Sequence, residues 1–165
     1  MTISDNKNKI KQITAIVVDD DIDTLNVFCE CLELYQFRIV GKAYNGKKVA
    51  ELYSTFKPDV VFLDVMMDRY DGIYALEQIR KVDPNSIVIM VTADLTKDTA
   101  ENLERLQASA VIYKPFDIKH VINIVENIVG SQRNNKSVPK QPESLVQHAE
   151  LTFNVHPKET WLVEK

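Results

Sequence analysis

The sequence predicts an α/β fold: a doubly wound, five-stranded parallel sheet with helices on both faces. Three observations carry this. Short apolar runs alternate with helical stripes five times along the chain, the pattern of a parallel sheet covered on both sides. The runs are nearly continuous in Val, Ile and Leu, as strands buried on both faces require. Each of the principal runs stops at a polar or charged residue, and the carboxyl ends of the strands are where such sheets bind their ligands.

The element that organises the rest is Pro58-Asp59-Val60-Val61-Phe62-Leu63-Asp64. A proline turn opens an apolar strand that closes on a carboxylate. An unpaired ionised Asp64 at that position would cost several kcal/mol or take up a proton, so the fold must supply a partner.

The other elements follow in order. Residues 13–18 form a first strand that stops at Asp19, Asp20 and Asp21. Ile22, Leu25, Cys29 and Leu32 then recur at helical spacing, with Asp21 and Asp23 near the positive end of the helix dipole. Residues 37–43 read as a second strand. Asn45-Gly46 turns the chain, and Val49, Leu52, Tyr53 and Phe56 make the stripe of a second helix. After the Asp64 strand and Asp71-Gly72, a third helix carries Ile73, Leu76 and Ile79 and ends at Asp83-Pro84-Asn85. Residues 87–91 form a fourth strand that closes on Thr92-Ala93-Asp94. The helix over 96–107 is the most polar of the set, anchored by Leu103 and Leu106, and a weakly anchored helix is one that can move. Residues 110–113 form a fifth strand leading to Lys114-Pro115-Phe116. Asp117 can cap a last helix with Ile118, Val121, Ile122, Val125 and Val129 on one face.

Composition sets bounds on function. At 165 residues the chain is one domain by length, with room for a short appendage. We expect a polar extension over 1–12, the domain over 13–129, and a linker with a short C-terminal extension over 130–165. The net charge of -4 argues against nucleic-acid binding through a basic face. No apolar run is long enough to span a bilayer, and the first residues lack a signal core, so the expected address is cytoplasmic. Cys29 and Cys31 lie two apart on a helix and do not face each other; Cys29 reads as a small core residue and Cys31 as a bystander. Within 130–165, residues 131–144 have a linker's composition. Beyond them Leu151, Phe153 and Val155 alternate, and Trp161-Leu162-Val163 follows. That stretch is either a disordered extension or a peptide that docks on the domain or on a partner.

The strand ends bring together Asp19, Asp20, Asp64, Thr92 and Lys114. Carboxylates about 4 Å apart repel by about 4 kcal/mol per pair at an effective dielectric near 20. A divalent cation removes the conflict, and an all-oxygen site with room for water suits Mg²⁺. Lys114 offers a point charge and Thr92 a hydroxyl, which together suit a tetrahedral anion. Asp64 can then act as nucleophile toward a phosphoryl donor. Singly, each residue has a plainer role: Asp19 and Asp20 as helix-capping acids, Thr92 as a turn hydroxyl, Lys114 as a solvated lysine. Jointly those roles require unrelated coincidences at one end of one sheet.

In this arrangement the chain resembles the response-regulator receiver domains of two-component signalling, over residues 13–129. The acidic pair falls on Val17-Val18-Asp19-Asp20-Asp21, the phosphoacceptor on Leu63-Asp64-Val65-Met66-Met67, the hydroxyl on Val91-Thr92-Ala93 and the lysine on Tyr113-Lys114-Pro115-Phe116. The resemblance implies a flavodoxin-like strand order of 2-1-3-4-5. It implies Mg²⁺ bound by Asp20, Asp64 and the Met66 backbone carbonyl, with Asp19 assisting through water. It also implies a phosphoryl group taken from a sensor histidine kinase or phosphotransfer protein, a downstream protein target, and no enzyme activity beyond slow self-catalysed phosphorylation and dephosphorylation. No direct contact with nucleic acid and no membrane insertion are implied, and a homodimer through the fourth helix and fifth strand is left open.

Some positions depart from the family pattern. The aromatic that usually precedes the lysine by three residues is Val111, so the switch region of Thr92, Val111 and Tyr113 lacks its ring at the usual place. Tyr113 shares a face with Val111 but sits two residues nearer the site. The loop after Asp64 carries Asp68, Arg69 and Tyr70. Met66 and Asp94, each two residues past a site residue, are expected to tune water access. Two alternatives stand beside this reading: a Mg²⁺-dependent phosphohydrolase of the haloacid-dehalogenase kind, with Asp19 as nucleophile and Asp21 as acid, and a receiver-fold interaction module that is never phosphorylated. The first would place a threonine where Asp23 stands; the intact five-residue set argues against the second.

Overall fold

A computed structural model describes residues 12–135. The expected tail features at 151–163 lie outside the described residues. Strands β1 (Thr14–Val18), β2 (Arg38–Ala43), β3 (Val60–Asp64), β4 (Val88–Thr92) and β5 (Ala110–Tyr113) alternate with helices α1 (Ile22–Leu34), α2 (Val49–Phe56), α3 (Gly72–Val82), α4 (Lys97–Arg105) and α5 (Ile118–Asn135). A 3-10 turn over Gly46–Lys48 leads into α2. All strand pairs are parallel, in the order β2-β1-β3-β4-β5. The strand order reverses between β1 and β3, which places the ligand crevice at their carboxyl ends.

The sheet divides the core in two. On the α1 and α5 side, Val17, Leu25, Phe28, Phe62, Ile89 and Val125 pack together, with Phe28 edge-on to Phe62 at 5.1 Å and to Phe116 at 5.4 Å. On the other side Ile16, Leu63, Leu76, Ile79, Met90 and Leu103 close over α2, α3 and α4. Each fully buried large apolar side chain contributes about 1.5–3 kcal/mol, which explains why β3, buried along its whole length, is the fixed axis of the molecule. Helix α4 is the contrast: Leu103 is its one fully buried residue, and Leu106 is half-buried at its end.

Local chemistry sets the helix starts. Asp21 accepts from the Thr24 backbone N–H at 2.8 Å, Asp71 from that of Tyr74 at 2.8 Å, and Thr96 from that of Thr99 at 3.4 Å, caps worth about 1 kcal/mol apiece. The Asp117 carboxylate accepts from Lys119 N–H at the start of α5. Two positions of the predicted stripes fall outside the core. Ile22, the first residue of α1, stands at the rim above the crevice and is 55% exposed; the burial it leaves is taken by Phe28. Phe56 ends α2 half-exposed beside Gly41 on edge strand β2, where there is no further strand to cover it. Helix α5 also continues past Gly130 into the stretch that composition assigns to a linker. A glycine costs a helix about 1 kcal/mol, and here Gln132 Nε2 to the Asn85 carbonyl at 3.1 Å and Arg133 to Asp59 at 3.1 Å offset it.

Two features hold the ends of β3. At its start, the Asp59 carboxylate accepts from both the backbone N–H and the hydroxyl of Thr14, each at 2.9 Å, and the Thr14 hydroxyl accepts from the Asp59 N–H. Burial works to raise the Asp59 pKa, but these donors and Arg133 outweigh it and hold the carboxyl below its usual value. At the other end Gly72 lies against the backbone where β3 closes. A Cβ there would come within 2.2 Å of the Asp64 carbonyl oxygen and 2.8 Å of the Val65 Cα, while the Gly72 N–H donates to the Val65 carbonyl at 3.0 Å. Glycine is required here by close approach.

Gly72→Ala is therefore expected to cost about 1–3 kcal/mol as strand and helix are forced apart, read as a lower urea midpoint with an unchanged slope. For Asp59, a depressed folded pKa adds stability above the unfolded value near 3.9, and that stability is lost as pH falls through the folded value. Asp59→Asn should thus lower the thermal midpoint at pH 7, with the gap to wild type narrowing below about pH 4. A pH-independent gap would show that the lost contact, not the charge, matters.

Candidate functional site

Three strand ends build the site. Asp19 leaves β1 with its N–H bonded to the Ala43 carbonyl of β2 at 3.2 Å, and its own Oδ1 accepts from the Asp21 N–H at 3.0 Å. Asp64 closes β3, and the backbone N–H groups of Met66 and Val65 just beyond it work to lower the pKa of its carboxylate. Lys114 follows β5 and crosses the crevice. Its Nζ donates to Asp19 Oδ2 at 2.9 Å and stands 3.6 Å from Asp64 Oδ1. Asp19 and Asp64 are buried, so this ammonium is the partner that the charge on β3 requires.

Burial raises the pKa of Asp64, and Asp19 adds to the rise, against the pull of Lys114 and the two backbone donors. For Lys114, burial alone would lower the value. The bond to Asp19 and the charge of Asp64 overcome it, and the ammonium is held above its usual range.

Oxygens of Asp19, Asp20 and Asp64 lie within 4.8 Å of one another, Asp20 being exposed where the others are buried. Three carboxylates against one ammonium leave two negative charges unbalanced. That deficit, and a donor set made only of oxygens, fit a small divalent cation such as Mg²⁺. The space beneath the rim, lined by Val17, Phe28, Phe62 and Phe116 among others, is about 10 Å³, the room of one water.

Thr92 is fully buried at the end of β4, beside β5 with Tyr113 as its register partner. Its Oγ1 accepts from the Asp94 N–H at 3.0 Å, so the turn-hydroxyl role exists and leaves the hydroxyl proton to be donated elsewhere. Val111 is half-buried against the α4-side core, and Tyr113 is partly exposed. Asp21 does not suit the role of a general acid. It caps α1, and its bond from the Thr24 N–H holds its pKa below the carboxylate norm, whereas an acid must be protonated at working pH.

Sequence reasoning missed the ties around α4. The Asp94 carboxylate accepts from the Thr96 N–H at 2.8 Å and the Thr99 hydroxyl at 2.6 Å. At the other end of the helix, the Arg80 guanidinium donates to the carbonyls of Leu106 at 3.2 Å and Gln107, and it also donates to the Ser86 carbonyl before β4 at 2.6 Å. The Asp-x-Thr-x-x-Thr spacing from Asp94 to Thr99 was the available signal for the first. Arg80 gave none, because its partners are carbonyls. Exposed apolar side chains also ring the acids: Ile22, Tyr44, Met66, Leu95 and Tyr113 each stand at or just past the end of a different strand, and are 38% to 75% exposed.

Comparison with known proteins agrees with this geometry. Residues 15–126 match the family described as the response regulator receiver domain. The chain is 34% identical over 119 residues to protein CcdB of Bacillus subtilis, covering 72% of this chain and 99% of that one. It is 30% identical over 115 residues to the chemotaxis protein CheY of Thermotoga maritima, covering 68% and 94%. Among solved structures, it is similar to a chain of the CheX–CheY–BeF3–Mg complex of Borrelia burgdorferi, with a TM-score of 0.66 and 27% identity over 70% of this chain and 88% of that one. A receiver-domain protein from Methanospirillum hungatei shares the fold at a TM-score of 0.67 and 20% identity, over 75% of this chain and 98% of that one. Fold, strand-end chemistry and relatives converge: this chain belongs to the response regulator receiver domain family.

Proposed function

We propose that the protein is a phosphoacceptor of a two-component phosphorelay, and that Asp64 receives the phosphoryl group. The observation that carries this is the Lys114 ammonium set between Asp19 at 2.9 Å and Asp64 at 3.6 Å. It is poised to follow a new phosphoryl oxygen when Asp64 becomes an acyl phosphate. One Asp64 carboxylate oxygen attacks phosphorus in line as the bond from phosphorus to the donor breaks, and the leaving group carries off that electron pair. A phosphohistidine of a sensor kinase or phosphotransfer protein is the donor. Lys114 and the Thr92 hydroxyl hold the transferred oxygens.

Asp20, Asp64 and the Met66 carbonyl are the groups to hold Mg²⁺, with Asp19 beside them; the bound cation supplies neutralisation of charge on the transferring group. It also opposes the burial that raises the Asp64 pKa and so favours the nucleophilic carboxylate. The apolar ring of Ile22, Tyr44, Met66, Leu95 and Tyr113 gives a protein donor a surface to dock on around the acids.

The output runs through α4. With valine at 111, no ring is present to turn inward there. Instead, Thr92 is linked through Asp94 to Thr96 and Thr99 in the first turn of α4, while Arg80 holds the far end. A Thr92 hydroxyl drawn to the phosphoryl group loosens its acceptance of the Asp94 N–H and frees the amino end of α4 to pivot. A downstream protein reads that face, with a homodimer through α4 and β5 as one form of the same output.

Incubation with Mg²⁺ and a small acyl phosphate should add one phosphoryl group to wild type, mapped to Asp64, and none to Asp64→Asn or to wild type in chelator. Finding the acyl phosphate on Asp19, or no modification of either chain, would overturn the assignment. Lys114→Ala should slow the reaction at least about tenfold through lost charge stabilisation. For the output, Thr99→Val removes one bond to a carboxylate, worth about 1.5 kcal/mol. It should raise amide exchange in the first turn of α4 roughly tenfold before phosphorylation, with the phosphorylation rate unchanged. Unaltered exchange would remove Asp94 from the output path.

A further inference from the structure

A concavity lies at the amino-terminal end of the sheet, opposite the acidic rim. It is about 700 Å³ and is lined by residues that include Lys57, Pro58, Val82, Ile87, Val129 and Gln132. None of the phosphoacceptor-site residues reaches it. Its walls are fixed: Tyr53 of α2 donates to Asp83 at 2.6 Å, and the last turns of α5 are held by Gln132 to Asn85 and by Arg133 to Asp59. Val82 is 51% exposed, an apolar side chain on a groove wall with nothing among the described residues to cover it.

We propose that this groove is the docking site of the chain's own C-terminal segment, residues 151–163. The chain leaves the groove's own wall, since Gln132 and Arg133 line it and α5 ends at Asn135. The polar stretch 136–150 has the composition of a tether, and a tether of that length spans roughly 20 Å root-mean-square, enough to return residues 151–163 across this end of the domain. It sets an effective concentration of the order of millimolar, so even weak contacts are occupied within the chain. The segment it delivers is the apolar part of the tail. Leu151, Phe153 and Val155 share one face of an extended chain, and Trp161, Leu162 and Val163 complete the apolar set. A separate partner would have to compete with this tethered occupant. Docking places the tail against the start of β3, at the far end from Asp64, and is independent of the phosphorelay reading.

The single tryptophan of the chain, Trp161, reports the docking. In the full-length protein its emission should be blue-shifted relative to the same chain in denaturant, and protected from iodide. Val82→Glu, an exposed change with no core to disturb, should shift the emission to that of the denatured chain, and Lys57→Glu is a second probe of the same wall. Circular dichroism should show both variants folded. Truncation after Asn135 should lower the thermal midpoint by at least about 2 °C, and Asp64→Asn should leave the Trp161 signal as in wild type. Three results would overturn the proposal: solvated emission in the wild type, a blue shift indifferent to both groove substitutions, or a blue shift that disappears on dilution, which would assign the groove to a second copy.

Discussion

Everything at the functional end of this molecule depends on like charges being held together. Asp19 and Asp64 are buried, Asp20 is at their edge, and their oxygens lie within 4.8 Å of one another. The sheet forces this, because β1 and β3 are hydrogen-bonded neighbours and both end in carboxylates. A single ammonium, from a residue 95 positions beyond Asp19, offsets part of the repulsion. Each of its two contacts is of the order of 5 kcal/mol at an effective dielectric near 20, before desolvation is counted. One positive charge against three negative ones leaves the rim attractive to a divalent cation.

The rigidity of the molecule is distributed to suit this. β3 is buried through its length and β1 through all but its first residue, and the two are tied together by Thr14 and Asp59 at one end and by Asp19, Lys114 and Asp64 at the other. Gly72 lets α3 close directly onto the backbone of Asp64, which leaves that stretch of main chain little room to shift. On the other side of the site, β4 and β5 lead to α4, which has one fully buried anchor and depends on polar ties at its two ends. Chemistry sits on the stiff side of the sheet, and the compliant helix sits beside the one site residue, Thr92, whose hydroxyl is already engaged with the loop that starts that helix.

How much of this could be read from sequence divides along physical lines. Alternating apolar runs and the strand-end rule were sufficient for the sheet and for placing Asp19, Asp64, Thr92 and Lys114 at its carboxyl ends, because both depend on periodicity and on topology that short-range pattern encodes. Gly72 was legible only as punctuation before a helix; its actual constraint is a long-range approach of two backbones, which leaves no mark on neighbouring residues. Arg80 was invisible because it satisfies carbonyls, which every residue possesses. Gly130 looked like an end to α5, yet a Cβ there would meet nothing within 4 Å, so that face of the helix was free of packing and the partners of Gln132 and Arg133 decided the matter. Phe56 kept helical spacing but fell at an edge strand, where no further layer exists to bury it.

Valine at position 111 has a consequence for how a signal can leave the site. An aromatic ring that moves between exposed and buried positions needs a slot vacated by the threonine; a half-buried valine packed on the α4-side core already fills its share of that space and has no comparable second position. The remaining mobile link from the site is polar. Thr92, Asp94, Thr96 and Thr99 form one continuous chain of hydrogen bonds that ends in the first turn of α4, and hydrogen bonds to a carboxylate, unlike a packed ring, can be exchanged one at a time at a cost of about 1.5–3 kcal/mol. The other end of α4 has no such freedom, because Arg80 binds two carbonyls there, those of Leu106 and Gln107, and its own partial burial makes them costly to abandon. On the proposed reading, a helix released at one end and fastened at the other would swing about the fastened end, and the amino-terminal turn of α4 with the neighbouring Leu95 would be the part of the surface to move.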